Sequence, residues 1–118
     1  MVGRRYSKYK NKYIVHAGCS IHAECYPVIG ELKEVEEWAL QAALEEFDSY
    51  AGLHGLMDFD EYCDEEGYDI DYGDKEEAWE GFCEYRENEL IYSVKPFDET
   101  NEEHLDCLEW NGGEFIEA

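Results

Sequence analysis

Residues 13–50 read YIVHAGCSIHAECYPVIGELKEVEEWALQAALEEFDSY, and the spacing of their apolar side chains changes once along the stretch. Over 13–26 apolar and polar positions alternate, which predicts a half-buried strand or a hairpin bent about Gly18. The segment Pro27–Gly30 is expected to end it. Over 31–50 apolar residues recur every three or four positions, which is the spacing of a helix with one buried face. A strand followed directly by an amphipathic helix favours a fold that mixes the two kinds of element.

Two further helices are predicted later in the chain. In each case an aspartate is followed three residues later by a glutamate, the spacing of a capping box, and then by apolar residues at helical intervals. The boxes begin at Asp58 and Asp74. We therefore predict helices over 58–66 and 75–88 in addition to the helix over 31–50.

The last third of the chain carries strand-like patterns. Residues 90–95 alternate in polarity before a proline. Two more alternating runs lie on either side of an Asn-Gly-Gly turn, and they predict a closing hairpin over 105–117. Thr100 and Glu103 also have capping-box spacing, so a short helix in place of the strand at 105–110 stays open.

The order of elements and the composition predict one folded α+β domain. Its sheet is expected to be small and antiparallel, with strands near 13–26, 90–95 and 105–117 and with two to three helices packed on one face. The chain is 44% apolar and 15% aromatic, which is enough large apolar surface for one modest core despite the charge. Residues 1–12 hold five bases and no acid, and they are predicted to form a flexible basic arm before the acidic domain at 13–118.

The charge of the chain is strongly one-sided. Thirty of its 31 acidic residues follow residue 30, where four bases stand against them, so residues 31–118 carry a formal charge of −26. A net charge of about 2–8 in magnitude is ordinary for a small domain. Adaptation to high salt and a partner with a strongly positive cleft both account for such an excess. The acids recur at helical spacing among core residues and form no tail, which favours the partner.

The N-terminal segment and the cysteines bear on the cellular compartment. The first residues are basic but lack the apolar core of a signal peptide, and no run of the sequence has the length of a membrane span. Five scattered cysteines, an odd number, favour reduced thiols over a disulfide framework. We expect a cytoplasmic protein with no membrane partner.

Two segments contain metal-ligating residue types. Four of them are evenly spaced as His16-x-x-Cys19-x-x-His22-x-x-Cys25. In a strand, positions three apart point to opposite faces, which argues against a zinc site unless the segment folds back. The acids of 69–80 resemble a calcium loop, but glycine and aspartate stand in reversed order at its fifth and sixth places. No metal and no other cofactor is predicted.

Catalytic motifs are missing from the sequence. It contains no Gly-x-Ser-x-Gly, no phosphate-binding loop, no His-Glu-x-x-His and no glycine-rich nucleotide turn. His54 and His104 are isolated, and the carboxylates are so numerous that no pair of them is informative. We expect a protein that is not an enzyme.

The acids fall into groups that a cationic partner can contact. Along the helix at 31–50 an outward stripe runs from Glu34 to Asp48, a length of about 21 Å at the rise of a helix. A DNA strand presents one phosphate per about 3.4 Å, so one stripe is too sparse and several groups are needed. The predicted partner-binding residues are Glu34, Glu37, Glu45, Asp48, Asp58, Asp60, Glu61, Asp64, Glu65, Glu66, Asp69, Asp71, Asp74, Glu76, Glu80 and Glu84, with Tyr62, Tyr68 and Tyr72 as aromatic anchors.

In size, charge and the interleaving of acids with aromatic residues, the chain resembles the small acidic proteins by which bacteriophages and mobile elements disable host defence, the anti-CRISPR and antirestriction proteins that imitate DNA. Residues 59–71, FDEYCDEEGYDID, and the helix after them also resemble a segment of small uncharacterised phage proteins. The resemblance implies an inhibitor that acts in the host bacterial cytoplasm without chemistry. The implied partner is the nucleic-acid-binding surface of a defence complex, a CRISPR effector first and a restriction enzyme second, with no direct contact to nucleic acid.

Two other functions stay open from the sequence. One is an acidic adaptor or regulator that binds a basic protein away from any DNA channel. The other is a small metal-binding module through residues 16–25 or 69–80. Competition by DNA distinguishes the first from a DNA mimic, and metal analysis of the purified protein decides the second.

Overall fold

The computed structural model describes residues 11–118 and confirms an α+β fold. Within that range a mixed sheet of four strands carries four α-helices, and a short 3-10 turn precedes the third helix. In chain order the elements are β1 (Lys12–Cys19), β2 (Ala23–Ile29), α1 (Leu32–Tyr50), α2 (Phe59–Glu66), the 3-10 turn (Ile70–Tyr72), α3 (Lys75–Glu89), β3 (Leu90–Pro96), α4 (Glu102–Trp110) and β4 (Ile116–Glu117).

The three helices predicted at 31–50, 58–66 and 75–88 are confirmed as α1, α2 and α3. The basic arm predicted at 1–12 lies outside the described residues as far as residue 10. Its last member, Lys12, begins β1 and belongs to the sheet.

The first two strands form an antiparallel hairpin, one of the two forms expected for residues 13–26. The N–H of Cys19 donates to the carbonyl of His22 at 2.8 Å, and the reverse bond is 3.1 Å long. The turn is therefore made by Ser20 and Ile21. A bend about Gly18 is wrong, because Gly18 is still paired within β1.

Gly18 is buried beside this turn, and that position carries a stability prediction. A β-carbon built there clashes with the carbonyl oxygen of His22 and the Cα of Ala23, two backbone atoms that the hairpin holds in place. We expect Gly18→Ala to lower the free energy of unfolding by about 2–3 kcal/mol. Gly30→Ala is the control, because its β-carbon meets only the Cβ of Ala118 closely, at 3.0 Å. Urea denaturation of both variants measures the difference, and equal losses would contradict the prediction.

Pro27 lies inside β2 and does not end it, contrary to the expectation from the sequence. In an antiparallel pair, hydrogen-bonded and non-hydrogen-bonded residue pairs alternate. Cys19 and His22 are a hydrogen-bonded pair, so the even residues of β2 bond to odd residues of β1. Position 27 therefore turns its nitrogen away from β1. Proline has no N–H to lose on that side, which is why the strand tolerates it.

Helix α1 packs across one face of the sheet. Val35, Ala39 and Ala43, each four residues apart, are fully buried in one cluster with Val15 and Val28 of the hairpin. Small side chains at this spacing form the single apolar side of an amphipathic helix. The opposite side of α1 is left to solvent.

Helices α2 and α3 gather around aromatic rings at the end of the sheet where α1 finishes. Phe47 of α1, Tyr62 of α2 and Phe82 of α3 are buried in one cluster with Cys19 and Leu56. The ring centroids of Phe47 and Phe82 are 6.0 Å apart, and those of Tyr62 and Phe82 are 5.8 Å apart, both edge to face. Such ring pairs contribute about 0.5–1.5 kcal/mol each beyond the area they bury. These contacts fix α2 and α3 in place.

The closing hairpin predicted at 105–117 is wrong, and the short helix that had stayed open forms instead as α4. The side chain of Asn101 accepts hydrogen bonds from the N–H groups of Glu103 at 2.9 Å and His104 at 3.3 Å. The cap is therefore Asn101, one residue after the predicted Thr100.

Helix α4 covers the opposite face of the sheet from α1, so helices lie on both faces and not on one. Cys107 of α4 is buried in a cluster with Ile14 and Phe97. The sheet is mixed and not purely antiparallel, because β4 pairs with Val28 and Ile29 in the parallel direction. The strand order is β3-β1-β2-β4.

Candidate acidic binding surface

The outer side of α1 carries the first group of acids. The buried side of the helix faces the sheet, so the helical period turns the other side to solvent. The exposed acids of this group are Glu34, Glu37, Glu45 and Asp48. They form the stripe expected from the sequence.

The second group lies on α2 and the 3-10 turn. Its exposed members are Asp60, Glu61, Asp64, Glu65, Glu66, Asp69 and Asp71. Asp58 and Asp74 are half-buried and bind the backbone. Asp58 Oδ1 accepts from the N–H of Glu61 at 2.8 Å, which confirms the predicted helix cap. Asp74 Oδ2 accepts from the N–H of Asp69 at 3.2 Å and makes no cap bond to α3, so the second capping box is wrong.

The third group follows α3. Glu76, Glu80 and Glu84 are exposed at four-residue intervals, while Phe82 of the same helix faces the aromatic core. Because α2 and α3 pack around that core, the second and third groups share one end of the molecule. The stripe on α1 runs toward the same end and finishes at Asp48.

The acids of the three groups have no ion pair with any other residue of the range 11–118. Within residues 11–118 the ion pairs are those of His22 with Glu24 at 3.7 Å and with Glu46 at 3.0 Å, and neither carboxylate belongs to the groups. Arg86 of α3 lies over the ring of Trp79, 5.9 Å from its centroid. Unpaired carboxylates on a compact body repel one another, most strongly at low salt. A partner that brings cations removes this repulsion.

The three tyrosines predicted as anchors differ in their surroundings. Tyr72, in the 3-10 turn, is 86% exposed and is available to a partner. Tyr68 is half-buried, and its ring centroid is 6.2 Å from that of Tyr62. Tyr62 is 9% exposed, so its burial excludes the surface contact expected of it. Its hydroxyl is pressed toward Gly81, where a β-carbon would come within 2.5 Å. Tyr62 supports the acidic surface from beneath.

Burial and neighbouring acids both raise the pKa values of these tyrosines. Burial raises the pKa of Tyr62 and of Tyr68, and the carboxylate of Glu66 adds to the increase at both. Burial also raises the pKa of the Cys63 thiol, with a further contribution from Asp60. These groups stay neutral at pH 7, so the surface derives its charge from carboxylates.

Tyr26, in the middle of β2, carries a pH-dependent prediction. Burial, and then its hydrogen bond to Glu24 at 2.9 Å, raises the pKa of Tyr26 to about 12. The pKa of an unfolded tyrosine is about 10, so this stabilisation is complete below about pH 10 and is lost as the pH rises toward about 12. We expect the Tyr26→Phe variant to lose less of its free energy of unfolding than the unmodified protein over this alkaline range. Denaturation of both proteins at about pH 9 and pH 11.5 gives the fall in the free energy of unfolding of each. An equal fall in both would count against the prediction.

The residues considered as metal ligands do not converge. In the part of the chain that the structure describes, no group of three or more His, Cys, Asp or Glu is placed to hold a metal ion. His16 and Cys25 are paired across β1 and β2, Cys19 lies on the other face, and His22 follows the turn. Their even spacing along the sequence therefore does not bring these four residues to one point in the hairpin.

Sequence reasoning missed Trp110 as a surface residue. Trp110 is 89% exposed at the end of α4. A strand over 105–110 gives no reason to expect the side chain of Trp110 at the surface. A helix capped at Asn101 buries His104 and Cys107 on one side and leaves Trp110 outside that buried side. The cap at Asn101 is therefore the sequence signal that predicts an exposed Trp110.

Comparison with protein-family models, with curated proteins and with solved structures finds no match to this chain. None of the helices between residues 11 and 118 is both long enough and apolar enough to cross a membrane. The function therefore has to be inferred from the chemistry of the surface.

Proposed function

We propose that this protein is a non-enzymatic, phage-type inhibitor that binds the positively charged nucleic-acid-binding surface of a host defence complex and blocks target DNA by imitating it. A CRISPR effector is the favoured target, and a restriction enzyme is the second. The observation that carries the proposal is the set of exposed carboxylates on α1, α2, the 3-10 turn and α3, which no residue of 11–118 neutralises and which a buried aromatic core holds at the surface.

The mechanism substitutes carboxylates for phosphates. Sites that hold a nucleic-acid backbone use Lys and Arg, and the same side chains bind carboxylates through charge-assisted hydrogen bonds. Long-range attraction between the acidic surface and a cationic channel speeds encounter and weakens as salt is added. Tyr72, exposed among the acids, supplies an aromatic face for a cation of the partner.

Affinity capture from an extract of the bacterial host tests the proposal. The tagged protein is incubated with extract at low and at high salt, and bound complexes are then challenged with duplex DNA. We expect a nucleic-acid-binding complex to be captured at low salt, lost at high salt and released by DNA. A partner that stays bound at both salt concentrations and ignores DNA would contradict mimicry and would instead support an acidic adaptor.

A further inference from the structure

Within the part of the chain that the structure describes, the outer edge of β2 has no strand beside its first half. Even residues of β2 bond to β1, so the N–H and C=O groups of Ala23 and Cys25 point to the other side. On that side β4 pairs only with Val28 and Ile29. Among residues 11–118 no strand lies beside the first half of β2. An open edge of this kind is a template for a further strand.

A cavity of about 360 Å³ lies beside this open edge. Its lining is Glu24, Cys25 and Tyr26 of β2 together with Cys107, Trp110 and Asn111 from the end of α4. Successive side chains of a strand point to opposite faces, so a cavity that touches three in a row lies next to the strand and not above it. The cavity therefore occupies the place of a strand in line with β4.

The ring of Trp110 borders this space and is surrounded by acids. A second cavity, of about 320 Å³, is lined by Asp106, Glu109 and the same Trp110. Counting only residues 11–118, the two linings include three carboxylates, with Glu24 in the first, and neither Lys nor Arg. A guanidinium or ammonium group binds well over an exposed indole, and nearby carboxylates strengthen the contact.

We propose that this edge binds an extended, Arg-rich or Lys-rich segment of a partner protein, which adds to the sheet as a strand beside β2. Its backbone bonds to Ala23 and Cys25, and one of its cationic side chains lies on Trp110 between Glu24 and Asp106. This mode of recognition takes affinity from the backbone and specificity from alternate side chains. The three acidic groups take no part in it, so the inference stands or falls separately from DNA mimicry.

A synthetic peptide of seven residues that alternates Arg and Val is the probe, with both ends blocked. Calorimetry measures its affinity, and amide chemical shifts report the residues it touches. We expect the largest shifts at Ala23 and Cys25. Trp110→Ala should weaken binding by about tenfold or more, as for an aromatic hot spot. Tyr92→Ala is the matched control, because it removes a ring that is 47% exposed on β3, at the opposite edge of the sheet, and should leave the affinity unchanged.

Backbone pairing is tested by a second peptide with the same side chains and methylated amides on the edge that faces β2. We expect its affinity to fall by about tenfold or more, since it keeps the charge but cannot donate to the strand. Equal affinity of the two peptides would overturn strand addition. Equal weakening by Trp110→Ala and Tyr92→Ala, or no binding of the first peptide, would overturn the site.

Discussion

Neutralising four exposed acids of the second group, Asp60→Asn, Asp64→Asn, Glu65→Gln and Asp71→Asn, is expected to slow association with the captured complex by about tenfold or more at low salt and to abolish inhibition. These side chains lie on α2 and the 3-10 turn, and none of them is in an ion pair within the described residues. Their loss removes steering charge and direct contacts together. Association rates from surface plasmon resonance at two salt concentrations measure the effect.

A matched control separates the position of the charge from its amount. Glu102→Gln, Glu103→Gln, Glu114→Gln and Glu117→Gln change the net charge equally, and all four residues are exposed on or near α4 and β4. We expect this variant to associate within about threefold of the unmodified protein, because its charges lie outside the three groups. If both variants slow association equally, bulk charge and not this surface governs binding.

Phe47→Ala is expected to lower the free energy of unfolding by about 3–5 kcal/mol. Phe47 is completely buried, and its ring joins Phe82 at 6.0 Å and Tyr85 at 6.3 Å between centroids. Small domains are stable by only about 5–15 kcal/mol, and the net charge of −22 leaves this one less margin at low salt. The variant should therefore be unfolded at low salt and regain structure as salt is added.

Urea denaturation at low and high salt measures the cost of Phe47→Ala. Leu53→Ala is the control, since Leu53 is 52% exposed and its truncation should change the stability by less than about 0.5 kcal/mol. A cost below about 1 kcal/mol for Phe47→Ala would show that the aromatic core does not hold α2 and α3 in place.

Local signals were enough to predict α1, α2 and α3. Each of these helices has one apolar side at helical spacing, and the cap at Asp58 needs only residues within one turn. The segment of α4 fits both periods, because Leu105 and Cys107 alternate as in a strand while His104 and Cys107 have helical spacing. Packing of Cys107 against Ile14 decides between them, and those two residues lie far apart in the sequence.

In the hairpin and at the surface, too, the local sequence did not reveal features that depend on the folded structure. Pro27 is tolerated in β2 because of the hydrogen-bond register, which the residue order alone does not display. The exposure of the acids was predictable, since carboxylates are rarely buried without a partner. The direction of aromatic side chains was not, and so Tyr62 was expected at the surface and Trp110 was overlooked.

Competition with target DNA for the purified captured complex tests the central claim most directly. The concentration of this protein that halves DNA binding is measured while the DNA concentration is raised at constant salt. Mimicry predicts that this concentration rises in proportion to the DNA, because carboxylates and phosphates occupy the same cationic site. A value that does not change with DNA, with both ligands bound to the complex at once, would contradict it.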